Sequence, residues 1–490
     1  MQMKKWKDTV TVSENAQTAE DRTGRILLGV AVILGALYLF FYRHYDCEAI
    51  TSWGYDLLEC VRRGNLSGFP EYTYASFGSP TNYTLFVNSV TALWLTPLYL
   101  LDQAAGLDLT IFFYEKWYKL LVGIALLLDL WAMDRLFAAL GAERTERRRS
   151  QALFLLSAVM LLATLGKGQV DVYGLFFVLL GARFLVRKED GRGALLLGMA
   201  LLVKPTALLV LVPLFLLLIG RWKEKTVVLG LIAAVPYLLD KGVTALLMPD
   251  YLPLSQKTFP LLAEALGGLT ITEQFFDLEV NQVLVFAALA LVLCFACYYL
   301  GVHGKTRREH LLALPPLLLI CFGVFVCASF HWFIYLLPAL LLMGLKLERR
   351  SDFYLLWLGM SLGLTVYFAS AESMTAQPLA GLLFGGAGEG AVIQYTGEYQ
   401  EYVLACGKTL FYVCMLLIPG GFLWEQRQRR GEARGEAVRK PDVAESAPED
   451  VAASAPEDED ERKYAGILLA AQPLWAIVYL IISWVVYCNG

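Results

Sequence analysis

Long apolar runs recur from Ile26 to Val486, broken by short charged segments, and none alternates with the period of two that a barrel strand requires. The runs at 25–42, 112–140, 151–166, 172–186, 194–204, 206–219, 226–246, 281–301, 311–328, 333–346, 353–369, 403–424 and 464–487 predict an all-α polytopic membrane protein of about thirteen transmembrane helices. A further stretch, Val90–Leu101, falls short of the roughly 20 residues a bilayer needs and is expected to be an interfacial or re-entrant helix in the first outer loop. The run from 194 to 219 reads as a hairpin bent at Pro205, since proline stiffens the chain and removes a backbone donor.

Charge then orients the chain. With a cytoplasmic N-terminus, the segments 1–25, 144–149, 183–192, 221–225, 305–308, 346–350 and 427–463 all fall inside, and they hold most of the 41 Lys and Arg residues. Counting Val90–Leu101 as a span would reverse every later loop. The expected organisation is a cytoplasmic tail at 1–25, a first transmembrane module at 26–246, a second with outer loops at 247–424, a linker at 425–462 and a last transmembrane helix at 463–490. The linker is charged, contains alanine and proline, and repeats Ser-Ala-Pro-Glu-Asp at 446–450 and 454–458, which predicts disorder. Ile26–Tyr42 continues without a small-residue cleavage site, so no cleavable signal peptide is expected.

Composition agrees, with 57% hydrophobic and 18% charged residues, and a net charge of -4 argues against a nucleic-acid partner. Most of the nine cysteines sit in apolar runs as small hydrophobes; only Cys47 and Cys60 share a polar stretch, which leaves a disulfide between them open.

The ionisable residues that the membrane must accommodate are few. Lys204 with Pro205 interrupts an otherwise apolar run, and an intramembrane lysine costs several kcal/mol unless it faces a cavity or an anion. Snorkelling to the interface is its bland alternative. The turn Gly166-Lys167-Gly168-Gln169-Val170-Asp171 offers a cation, an amide and a carboxylate with glycines that admit a ligand; Asp171 could equally cap the next helix. Asp46 and Glu48 follow the first span, where a carboxylate could act as general base or metal ligand, or belong to a solvated loop start. His331 lies in a short turn between spans, while Lys119 and Asp129 on the second span suit a structural charge pair as well as a substrate role. No phosphate-binding loop, zinc-ligand spacing or nucleophile elbow is present. Carboxylates and cations on one membrane face suit displacement of a lipid phosphate: a carboxylate takes a hydroxyl proton and cations meet the departing charge.

Gly-Lys-Gly-Gln-Val-Asp-Val-Tyr-Gly at 166–174 and Leu-Val-Lys-Pro-Thr-Ala-Leu-Leu at 202–209 resemble the Gly-Gln-x-Asp and Lys-Pro segments of integral-membrane GT-C-type glycosyltransferases. Lys119 with Leu-Leu-Leu-Asp-Leu at 126–130, and Phe-His-Trp-Phe-Ile-Tyr-Leu-Leu-Pro at 330–338, are similar to bacterial relatives of the second mannosyltransferase of glycosylphosphatidylinositol assembly. In place of a Tyr-Pro-Pro stretch the first loop carries Ser-Pro-Thr-Asn-Tyr at 79–83. The resemblance implies that 26–246 is a GT-C-like catalytic module, that the donor is a polyprenyl-phosphate sugar with mannose favoured, and that transfer to a glycan, lipid or protein acceptor on the outer face inverts the anomeric carbon. It implies Asp46, Glu48 and Asp171 as catalytic residues. Lys204, His331 and Lys167 would hold the donor phosphate, and Gln169 and Lys119 would contact substrate. A divalent cation, magnesium or manganese, at Asp46 or Asp171 stays open. The rival readings are a transporter or lipid flippase, which would show two broken helices where the sequence reveals only the one at Lys204, and a scaffold, which leaves that lysine unexplained.

Overall fold

The structure is a computed structural model that describes residues 2–78, 81, 83–249, 270–275, 278–327, 329–371, 374–376, 391–393, 398–439 and 459–489. Its helices are α1 Gln2–Phe41, α2 Tyr45–Arg62, α3 Phe69–Phe77, α4 Leu85–Ala105, α5 Ile111–Ala139, α6 Arg144–Leu156, α7 Asp171–Val186, α8 Asp190–Val203, α9 Leu208–Leu218 and α10 Thr226–Leu247. They continue as α11 Val285–Val302, α12 Arg308–Phe322, α13 Leu337–Gly344, α14 Arg350–Ala371, α15 Gln400–Arg439, α16 Glu459–Ala471 and α17 Leu474–Asn489. Eight of the described helices are long and apolar enough to cross a membrane, or nine if one bent pair counts as a span. The protein is an all-α polytopic membrane protein. Several passages, such as α8 and α9 with 14 and 11 residues, are shorter than a bilayer-spanning helix.

The basic loops gather at one end of the bundle. Arg221 reaches Asp190 at 2.7 Å, Arg350 reaches Glu146 at 3.3 Å, Arg429 reaches Glu348 at 3.1 Å and Arg430 pairs with Glu309. Arg221 also donates to the Leu185 carbonyl at 3.1 Å, so α8 and α9 return to the same end, as the hairpin at Pro205 requires.

The opposite end carries the turn after α1, the 167–171 turn, Lys204 and His331. Here α4 departs from the expectation of a short segment, since its 21 residues satisfy the length of a span. Both of its ends nevertheless belong to this end of the bundle. Thr84 at its start donates to the Leu202 carbonyl at 2.5 Å, and Asp102 near its finish accepts from Tyr114 at 2.9 Å, on the first turn of α5. Midway, Trp94 and Trp117 exchange indole-to-carbonyl hydrogen bonds of 2.7 and 2.8 Å. The helix therefore lies across the end of the bundle over α2 and α5.

The span expected at 151–166 is broken. After α6, Ser157 adopts an extended ψ of 142° and the chain resumes as a π-helix over Val159–Gly166, bent by 55° from α6. Ser157 causes the break, since its Oγ donates to the Phe154 carbonyl at 2.8 Å and accepts the Met160 amide at 3.2 Å, capping the second half. Indole N–H groups of Trp357 and Trp475, each at 3.2 Å, satisfy the freed carbonyls of Leu153 and Leu156. An apolar environment demands such repair, because an orphan backbone group there costs several kcal/mol.

Short strands also form, which the sequence pattern did not indicate. Tyr42–Arg43 pairs antiparallel with Met374–Ala376, which pairs with Ala391–Ile393; a separate hairpin joins Thr270–Phe275 to Leu278–Leu284. The first sheet fixes the chain as it leaves α1, immediately before His44. Helix α15 runs to Arg439, so 425–439 of the expected linker is helical, while its Ser-Ala-Pro-Glu-Asp repeats lie outside the described residues, as does most of the loop expected at 247–280. Cys47 and Cys60 are free; both sit on α2, thirteen residues or about 20 Å apart along its axis, beyond any disulfide.

Candidate active site

Asp46 is placed by its own helix start. His44 is the N-cap of α2, its Nδ1 accepting the Asp46 amide at 3.1 Å, and Asp46 occupies the first turn, where a carboxylate complements the helix dipole. With Nδ1 an acceptor, the ring proton of neutral His44 resides on Nε2. Nothing in the sequence reading assigned this histidine a role; the signal was its place just before a helix start, usually held by Ser, Thr, Asp or Asn.

The 167–171 turn follows the π-helix. Its closure is local, with the Gly168 amide on the Leu165 carbonyl at 3.1 Å and the Gln169 amide on the Thr164 carbonyl at 3.0 Å. Gly168 takes a φ of +64°, and a Cβ there would stand 2.9 Å from the Cys47 sulfur, so only glycine lets the turn lie against α2. That contact brings the Gln169 amide Nε2 to the Asp46 carboxylate at 2.5 Å and Lys167 Nζ to the same oxygen at 3.9 Å. The Gln169 carbonyl oxygen accepts from Tyr83 at 3.2 Å, and Lys167 lies over the Phe368 ring at 5.5 Å.

Asp171 opens α7 and is fully buried. Lys204 Nζ and His331 Nε2 each stand 3.7 Å from its Oδ2, too far for hydrogen bonds, though the lysine's charge is close enough for strong attraction in a buried setting. Both carboxylate oxygens and both ring nitrogens lack a hydrogen-bond partner among the described residues. Pro205 explains the aim of Lys204, because a residue preceding proline is driven out of the helical region; Lys204 is extended at φ -149° and ψ 114°, ending α8 and crossing the Tyr83 ring at 4.7 Å. His331 is carried by the 3-10 turn Phe330–Tyr335. Gly174, one turn into α7, lets that segment close in, since a Cβ would meet the Tyr335 hydroxyl at 2.2 Å.

The structure thus brings together Asp46, Lys167, Gln169, Asp171, Lys204 and His331 at one end of the bundle, with Tyr83 bridging the two carboxylate groups through Gln169 and Lys204. His331 belongs to the second expected module, so the site is shared between modules. Glu48 and Lys119 are not brought in. Glu48 accepts from Arg43 at 3.0 Å, and Arg43 also holds Glu115 at 2.7 Å. Lys119, fully buried, donates to the Tyr42 carbonyl, and Lys116 donates to the Phe40 carbonyl at 3.0 Å; the end of α1 supplies acceptors that its last turn leaves open. Asp129, for which a charge pair with another helix and a substrate role stood equally open, is buried with neither oxygen hydrogen-bonded among the described residues.

As candidates for a metal, Asp46 and Asp171 each already face a lysine, and no three His, Cys, Asp or Glu side chains gather to hold an ion among the described residues. This donor set fits charge-balanced carboxylates rather than an ion cage.

A buried cluster of carboxylates, lysines and a histidine, held at one end of a polytopic helical membrane protein, defines a class able to accept a proton and stabilise a leaving anion. Within it, residues 89–259 match the model of glycosyltransferase family 87, which supports a membrane glycosyltransferase. No curated protein and no solved structure matches the chain. The matched stretch carries Lys167, Gln169, Asp171 and Lys204; Asp46 and His331 lie outside it and join by folding.

Proposed function

We propose that this protein transfers a sugar, mannose by resemblance, from a polyprenyl-phosphate carrier to a hydroxyl acceptor at the outer face of the cytoplasmic membrane, with inversion. Asp46 is the general base: it takes the acceptor proton as the hydroxyl oxygen bonds to the anomeric carbon. The carbon–oxygen bond to phosphate breaks on the opposite side, and the departing phosphate takes its electron pair to Lys204, His331 and Lys167. Asp171 holds Lys204 and His331 in position, and Gln169 orients Asp46. Glu48 is held by Arg43 and takes no step. In this reading the basic end of the bundle is cytoplasmic, following the charge asymmetry.

The observation that carries the reading is the meeting of two carboxylates with three cationic or imidazole groups, drawn from four separate segments, beside unpartnered polar atoms at Asp171 and His331. Open buried atoms also occur at Asp129 among the described residues, so what distinguishes this set is their convergence at Asp171 and His331 with Lys204 and the Asp46 group. No step is assigned to a divalent ion, so transfer should persist in excess EDTA. The test is purified protein in liposomes with a radiolabelled polyprenyl-phosphate sugar: label should pass to a hydroxyl acceptor, and its failure to do so with any acceptor pool would end the proposal.

The bend of 55° at Ser157 favours a second reading. With the break at Lys204 it makes two interrupted helices, the feature expected of a transporter or flippase. The same liposomes separate the two, since a flippase moves intact lipid-linked sugar across the bilayer without transferring it.

A further inference from the structure

A cavity of about 490 Å³ opens at the basic end between α7, α9, α12 and α13, a size in the range of ligand sites, ~300–1,000 Å³. Its walls are apolar, including Val178, Leu214 and Ala339, and it reaches as far as Tyr335. Its mouth is cationic. Arg221, Arg308 and Lys346 line it against the single carboxylate of Glu146, which Arg350 holds at 3.3 Å.

Arg221 is engaged by Asp190, but Arg308 and Lys346 have no acidic partner among the described residues. Arg308 moreover sits in the first turn of α12, where the helix dipole opposes a cation. An anion at the mouth would relieve both costs. We propose that this cavity binds one anionic phospholipid of the cytoplasmic leaflet, its phosphate on Arg308 and Lys346 and one acyl chain between α7 and α9. Basic pockets between membrane helices on the cytoplasmic side suit such headgroups, and the leaflet there is rich in them. A zwitterionic lipid would present the same phosphate but would bring its own ammonium to a mouth already lined by Arg221, Arg308 and Lys346.

The consequence falls on the site. Tyr335 closes the same 3-10 segment that carries His331, four residues earlier, and α13 follows directly. A chain in the cavity braces this segment, so His331 is held toward Asp171 when lipid is bound. This consequence and the orientation rest on the transferase reading; the binding itself does not.

The test uses the full chain reconstituted in vesicles of phosphatidylglycerol and phosphatidylcholine in equal parts, then extracted and weighed intact by mass spectrometry for retained lipid. One phosphatidylglycerol should be retained, and the double variant Arg308→Gln with Lys346→Gln should bind it about thirty-fold less tightly, as loss of two near-surface cations implies. Ala182→Phe, which fills the wall and keeps the charges, should also exclude it. Equal retention of phosphatidylcholine, unchanged binding in the variants, or displacement of phosphatidylglycerol by polyprenyl phosphate would overturn the proposal, the last by assigning the cavity to a donor tail. Where transfer is measurable, phosphatidylglycerol should raise its rate in the parent and not in the double variant, with rates in pure phosphatidylcholine equal.

Discussion

Two groups of buried charge lie side by side where α1 ends, and they differ in what they leave undone. In the first, Lys119 and Lys116 close carbonyls of the α1 terminus and Arg43 clasps Glu115 and Glu48, so the charges are taken up by neighbouring acceptors. In the second, Asp171 and His331 are as deeply buried, yet none of their carboxylate oxygens or ring nitrogens is hydrogen-bonded among the described residues. Burial of an ionisable group is therefore no guide to function by itself, and neither is an open atom, since Asp129 is buried with both oxygens open among the described residues; what sets the second group apart is that carboxylate, lysine and imidazole converge. The first group locks backbone, and under the proposed transfer the second would receive an anion.

The comparison is broken most sharply at Asp46. Asp46→Asn keeps the shape and the Gln169 contact but removes the base, and transfer should fall by about 10²–10⁴, the usual range for general-base catalysis, while the protein still inserts and elutes as the parent. Turnover at the parent rate would remove Asp46 from the mechanism. Next in size is Lys204→Met, which deletes one partner of the departing phosphate; a loss of about 10²-fold in kcat is expected, as for a missing oxyanion donor. His331→Gln should act in the same direction. If either change altered only thermal stability, the second group would be of the same kind as the first.

Lys119→Met sharpens the contrast from the other side. It leaves the Tyr42 carbonyl without its donor and Glu115 with less positive charge nearby, which should cost about 2–3 kcal/mol of stability in detergent. The KM of the folded remainder should not change. A rise in KM at constant Tm would instead return Lys119 to the substrate, as its place on the second span first suggested.

How much of this was legible follows from where each partner lies. Lys167, Gln169, Asp171 and Lys204 were visible because glycine and proline beside them dictate the backbone locally. His331 could be singled out as a polar residue between apolar runs, though not its distance to Asp171. The role of Lys119 was not legible, because its acceptor is a backbone carbonyl 77 positions away that no side-chain pattern announces. The break at Ser157 was hidden in the same way: one serine in an apolar run reads as tolerated, and the tryptophans that repair the break come from positions 357 and 475. Strand Met374–Ala376 is too short to show a period. The expectation for α4 failed on length, since Asn88, Ser89, Asp102 and Gln103 interrupt the apolar run without ending the helix.

The smallest expected effect concerns Asp56, on the α2 face that packs with α3. Burial pushes its carboxyl up to about 6 from 3.8, with the Ser76 hydroxyl bonded to it opposing the shift. The sign follows from linkage. A carboxyl raised in the folded state contributes stability that is fully present below its unfolded value near 4 and is lost as the pH rises through about 6. At pH 7 the charged form should therefore weaken the α2–α3 contact by an amount on the order of 2 kcal/mol relative to pH 4. Hydrogen exchange over 45–77 should be slowest near pH 4–5, after correction for intrinsic rates, and quicken toward pH 7. Asp56→Asn keeps a hydrogen-bonding group for Ser76 without the titration, so its protection should not vary with pH over that range. Because α2 also carries Asp46, a parent whose α2–α3 contact loosens above pH 6 while transfer is unaffected would show that the base is held by His44 and the 167–171 turn alone.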